Sequence, residues 1–235
     1  MEASLPHVPL RESVAGGSLM TMVHPRTWLL LPIVVLLAAP SALAGQETGA
    51  RHVVIVTPTE SDGRFAPARE AIAFWNQTLS DLRLGPRLLE ARVLVAPPIS
   101  RPLESYTRQI WLLAGRSVPK EGRPQPPREL IDLEEDIVVF FSKQRIFSFA
   151  WPFAERARFF IGIQTDSAAP LTYPNVSRNI IAHELGHALG LEHNGNTRTL
   201  MCGPCEHLLY RSEQRMFFPL TPEERARLLM LHQAQ

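Results

Sequence analysis

The chain has 235 residues, and its 24 Lys and Arg against 23 Asp and Glu leave a formal net charge of +1. That balance gives no sign of a nucleic-acid partner, and none is expected. Cys202 and Cys205 are the only cysteines, too few for a disulfide-stapled scaffold, so a hydrophobic core must hold the fold.

Residues 1–44 read as an export leader. Trp28 to Ala39 is an uncharged apolar run, preceded by Arg26 and followed by Ser41-Ala42-Leu43-Ala44, which suits cleavage after Ala44. The run contains Pro32 and is shorter than the roughly 20 residues a membrane-spanning helix needs. An exported chain with no stable span after cleavage is therefore expected, whether secreted, periplasmic or extracellular; a retained N-terminal anchor is the alternative. Met20 and Met22 lie closer to the apolar run and are alternative starts.

Residues 45–235 are expected to form one domain. A β-branched run from His52 to Pro58 predicts a buried strand, and the spacing of Ala68, Ala71, Ile72, Trp75, Leu79 and Leu82 predicts a long helix. A second strand is expected near Arg92 to Ala96. Ser105 to Ala114 fits either helix or strand. The Pro-rich, charged residues 117–130 mark a surface loop within the domain. Three extended candidates follow at Asp136 to Ser142, Arg145 to Trp151 and Ala157 to Thr165, which together suggest one mixed sheet. A helix is expected from about Val176 to Gly190, with Asn175 or Ser177 as cap. Thr221-Pro222-Glu223-Glu224 has the cap threonine, first-turn proline and glutamate of a capping box, so a closing helix to about His232 is predicted.

The chemistry lies in HELGHALGLEH, positions 183–193. Residues four apart share one helix face, so His183 and His187 can aim their imidazoles at a single ion. Neutral imidazole suits zinc. Glu184, about 100° around the helix, is poorly placed as a ligand but near enough to act on a water molecule. A glycine at 190 permits a positive φ that ends the helix and lets His193 approach the same ion. Three protein ligands leave a fourth position open, as catalytic zinc sites do. The expected reaction is peptide-bond hydrolysis by water activated by one zinc ion, with Glu184 as general base.

This HExxHxxGxxH pattern, with Asn179-Ile180-Ile181-Ala182 before it and Leu200-Met201 after it, resembles the metzincin metallopeptidases and is most similar to their matrixin branch. The resemblance implies an α+β (mixed α/β) catalytic domain, with a twisted mixed sheet, a long helix and an active-site helix in residues 45–193. It implies a smaller lower subdomain over residues 194–235 that ends in a helix. Met201 matches the family's methionine turn and is expected to pack beneath the imidazoles without ligating. The implied activity is a zinc endopeptidase acting on proteins or peptides; the oligomeric state is left open. The alternative is a catalytically silent zinc-containing module that binds a peptide or protein.

Asn194 stands where matrixins usually have serine, and Cys202-Gly203-Pro204 replaces their common tyrosine and proline. Neither a cysteine-bearing pro-segment nor a calcium-binding segment is found. Cys202 and Cys205 are read as a local disulfide bracing the methionine turn, with free thiols, a redox pair or a second metal site near Glu206 and His207 as alternatives. Tyr210 is read as an ordinary packed tyrosine, with lining the cleft or stabilising the oxyanion as alternatives. Phe147, Phe149, Trp151, Phe159 and Phe160 are candidates for the core or for an edge strand that aligns a peptide.

Overall fold

The structure is a computed structural model that describes residues 49–233 except 86, 114–115, 117–118, 154–157, 168, 170 and 206–215. The expected leader over residues 1–44, Glu206, His207 and Tyr210 lie outside the described residues. In chain order the elements are β1 (Ala50–Thr57), α1 (Phe65–Asp81), β2 (Arg87–Val95), α2 (Ser100–Trp111), α3 (Arg128–Ile131), β3 (Ile137–Phe141), β4 (Phe149–Phe153), β5 (Arg158–Ile163), α4 (Pro174–Ala188) and α5 (Pro222–His232).

The architecture is mixed α/β, as expected from the sequence. Five strands form one sheet in the order β2-β1-β3-β5-β4. All neighbours are parallel except β4, which runs antiparallel to β5 at one edge. Both faces are covered, which explains why the central strands read as unbroken apolar runs. Val53, Ile55, Ile137, Val139, Phe141, Ile161 and Ile163 face a core shared with α1 and α4. The alternate residues Val54, Val56, Val138, Phe140 and Phe160 face a second core with Leu103, Tyr106 and Ile110 of α2.

α1 and α4 lie together on the first of these faces. Trp75 of α1 is fully buried and its Nε1–H donates to the Ala182 carbonyl of α4 at 2.8 Å. Arg178 of α4, also buried, pairs with Glu70 of α1 at 2.6 Å. These two links, one neutral and one charged, help to fix the helix that carries the histidines.

Several boundaries differ from the sequence reading for identifiable reasons. β2 begins at Arg87 rather than Arg92, because the charges of an edge strand are accommodated at its surface: Glu90 pairs with Arg69 at 2.8 Å and Arg92 with Glu135 at 2.6 Å. The ambiguous segment 105–114 falls largely within α2, with Leu103, Tyr106, Thr107 and Ile110 buried at helical spacing. The extended candidate at 145–151 is displaced to Phe149–Phe153 and includes Pro152, which an edge strand tolerates. α4 starts at Pro174, with Tyr173 as N-cap; Asn175 and Ser177 are buried inside it instead of capping it. α5 has the predicted box: Thr221 Oγ1 accepts the Glu224 N–H at 3.1 Å and Glu224 accepts the Thr221 N–H at 2.7 Å. Among the described residues no helix is long and apolar enough to cross a membrane.

Candidate metal centre

His183 and His187 sit one turn apart on α4, and the helix ends just beyond them. Leu189 is its C-cap, and Gly190 has φ of 92°. The Gly190 N–H donates to the His187 carbonyl at 3.0 Å, and the Leu191 N–H donates to the Gly186 carbonyl at 3.0 Å. This is the paired bonding of a Schellman stop, which needs a left-handed residue at the turn. A methyl at Gly190 would also stand 2.6 Å from Leu231 Cδ1 of α5. The turn brings His193 back toward the helix.

The three Nε2 atoms form a nearly equilateral triangle: 3.2 Å between His183 and His187, 3.0 Å between His183 and His193, and 3.1 Å between His187 and His193. Tetrahedral zinc at roughly 2.0–2.1 Å from each nitrogen separates its ligands by about 3.3 Å, so the spacing fits within a few tenths of an ångström. The tautomers point the same way. His183 Nδ1 lies 2.7 Å from the Leu200 carbonyl and His187 Nδ1 lies 2.9 Å from the Leu191 carbonyl. A carbonyl only accepts, so each Nδ1 carries the proton and each Nε2 presents a lone pair. Converging lone pairs cannot bond one another; they call for a cation. Burial lowers the pKa of His183 to about 4, with its carbonyl partner acting in the opposite direction and the neighbouring imidazoles adding to the drop. Burial lowers that of His187 as well. Both rings are therefore held neutral, the form that binds metal. No other His, Cys, Asp or Glu group among the described residues converges in this way.

Glu184 is buried, 6% exposed. Burial raises its carboxyl pKa to about 8, against the opposing effect of a hydrogen bond from the Ala150 main chain. Ala150 belongs to β4, the antiparallel edge strand, so the edge of the sheet and the glutamate are in direct contact. Of the aromatic residues around this edge, Phe149 and Phe160 are buried, Trp151 and Phe159 are half-buried, and Phe147 is exposed.

Met201 is fully buried. Its sulfur packs against Gly186, within the histidine helix, so closely that a methyl there would lie 2.5 Å from Sδ and 3.0 Å from the Trp75 ring. Cys202 and Cys205 are joined as a disulfide. It encloses Gly203, where a methyl would stand 2.7 Å from Cγ of His193. The turn thus presses on the third imidazole through a residue that must be small.

The sequence reading passed over Gly186 and named Asn179 and Asn194 without giving either a structural role. A glycine inside a helix costs about 1 kcal/mol relative to alanine, and that cost was a signal that close packing was required. Asn179 is fully buried; its Nδ2 donates to the Met216 carbonyl at 3.0 Å and its Oδ1 accepts the Phe218 N–H at 2.8 Å, anchoring residues 216–218 to α4. Asn76-Gln77-Thr78 and Asn175-Val176-Ser177 match the glycan-acceptor pattern, but both asparagines are engaged within the fold. Asn76 exchanges two hydrogen bonds with the Leu88 main chain at 2.9 and 2.8 Å, and Asn175 is buried.

No protein-family model and no curated protein matches the sequence. Solved structures resemble it distantly. A chain in a chaperone–substrate complex has 16% identity and a TM-score of 0.46 over 80% of this chain and 34% of that one. Archaemetzincin from Methanopyrus kandleri has 14% identity and a TM-score of 0.44 over 80% of this chain and 98% of that one. Metalloproteinase-II from Bacteroides fragilis has 13% identity and a TM-score of 0.43 over 80% and 54%. The present chain thus spans about a third of the first of these and about half of the last.

Proposed function

We propose that this chain is a zinc-dependent endopeptidase of metzincin type, exported by its leader and acting on proteins or peptides. The observation that carries this reading is the triangle of Nε2 lone pairs, 3.0–3.2 Å on a side, with a buried glutamate next to the first histidine. His183, His187 and His193 would hold the ion. When bound, zinc supplies Lewis acidity: it makes water easier to deprotonate and polarises a carbonyl.

The remaining steps belong to the protein. The Leu200 and Leu191 carbonyls keep the protons of His183 and His187 on Nδ1. Glu184 takes the proton of the attacking water and returns it to the departing amine. Its hydrogen bond from Ala150 positions it beside β4, along which an extended peptide can add as a further strand. Met201 supports the imidazoles from below, since its soft side chain fills irregular apolar space.

The burial of Glu184 favours a second reading, a zinc-containing module that binds a peptide without cutting it. A mixed peptide library separates the two. The endopeptidase cleaves it, stops when a zinc chelator is added and recovers when zinc is restored; the silent module binds peptides and leaves them intact.

A further inference from the structure

His183 and His187 ride on a helix fixed by its packing, whereas His193 stands exposed on the loop beyond Gly190. The next residue connects that loop to two distant parts of the chain. The Asn194 N–H donates to the Met201 carbonyl at 2.8 Å, and its carbonyl accepts the Gly203 N–H at 2.8 Å. Its side-chain Oδ1 accepts the Asn196 N–H at 2.7 Å, while Nδ2 donates to Thr199 Oγ1 at 2.9 Å and to Glu224 Oε1 of α5. The amide orientation is set by this network, because only the nitrogen can donate to a carboxylate.

Glu224 is 6% exposed, and each of its oxygens has a separate donor: Oε1 receives Asn194 Nδ2 and Oε2 receives the Thr221 N–H. One carboxylate therefore ties the start of the C-terminal helix to the residue after the third histidine. We infer that Asn194 is a positioning residue for the third zinc ligand, and that through Glu224 the zinc affinity of the site depends on the docking of α5. The inference rests on the zinc reading above. A loop held in its liganding geometry before the ion arrives loses less freedom on binding, and outer contacts of this kind commonly change metal affinity by roughly 10–100-fold.

The chemistry of the contact supplies its own test. In Glu224→Gln one carbonyl oxygen remains, and it cannot serve both Thr221 N–H and Asn194 Nδ2. In Asn194→Asp two buried carboxylates face each other. In the double variant Asn194→Asp/Glu224→Gln the glutamine oxygen accepts from Thr221, its NH2 donates to the new aspartate, and the Thr199 hydroxyl turns to donate as well. Zinc affinity of the full chain is measured by chelator competition for the wild type, both single variants and the double variant. Thr221→Ala serves as a control that weakens the helix cap but keeps the Asn194 link.

Each single variant should bind zinc about tenfold or more weakly, within the range of outer-contact effects. The double variant should recover at least most of that loss, and Thr221→Ala should lower the melting temperature without changing zinc affinity. Equal affinity in the wild type and all variants would overturn the coupling while leaving the zinc site intact. Loss in the double variant equal to the sum of the single losses would also overturn it. Failure of the wild type to bind zinc would overturn the zinc reading and this inference with it.

Discussion

Met201 and Gly186 pack against each other so tightly that a single added methyl on the glycine would approach the methionine sulfur to 2.5 Å. The sulfur cannot simply retreat, because Met201 is fully buried and the Trp75 ring bounds the same space. Gly186→Ala should therefore destabilise the fold by about 1–3 kcal/mol, the range for overpacking a filled core, despite alanine's better helix propensity. Chemical denaturation of the two proteins measures this. Equal stability would show that the contact yields freely.

Gly190 meets two constraints, a φ of 92° and the nearby Leu231. Gly190→Ala should cost at least about 1–2 kcal/mol from the left-handed backbone alone. Because this turn directs His193 toward the other imidazoles, zinc affinity should fall along with the melting temperature. A loss of stability with unchanged zinc affinity would argue that the turn does not set the third ligand.

The Cys202–Cys205 bridge closes a short loop. The chain-entropy model gives about 2 kcal/mol for so small a loop. Replacing both cysteines with serine should lower stability by up to that amount. It should also weaken zinc binding, because Gly203 is held against the His193 ring. Unchanged melting and unchanged zinc affinity would remove the bracing role.

A pH dependence follows from the Arg92–Glu135 pair. Burial alone would raise the Glu135 pKa, but the hydrogen bonds and charge of Arg92, together with a main-chain hydrogen bond and the charge of Arg158, outweigh it, and the net shift is below the ordinary 4.5. A carboxylate whose pKa is lower in the folded state adds stability above its unfolded value and loses it as the pH falls through its folded value. Wild type should exceed Glu135→Gln by up to about 1 kcal/mol at pH 7, a modest figure because Arg92 is half-exposed. The gap should close on acidification below about 4.5. Melting curves from pH 3 to 7 test the sign; a gap that widens toward acid would refute it.

What could be read directly from the sequence had local causes. His183, His187 and Glu184 are placed by helical spacing, Gly190 by backbone sterics, and the closing helix by a capping box contained within four residues. β1, β3 and β5 showed as apolar runs because both sheet faces are covered. Contacts made at a distance were hidden. Gly186 is constrained by a methionine fifteen positions later in the chain and Asn194 by Glu224, thirty positions later. The expected strand at 145–151 lies instead at Phe149–Phe153, because nothing local marks where an edge strand pairs, and at an edge Pro152 is tolerated.

Whether Glu184 works as the base of a zinc endopeptidase is decided by hydrolysis of a peptide library by zinc-loaded wild type and Glu184→Ala, compared at equal zinc content. The wild type should cleave the library and the variant should be slower by about 10²–10⁴-fold, the range expected when a general base is lost, with zinc still bound. Equal cleavage by both proteins, or none by the loaded wild type, would contradict that role.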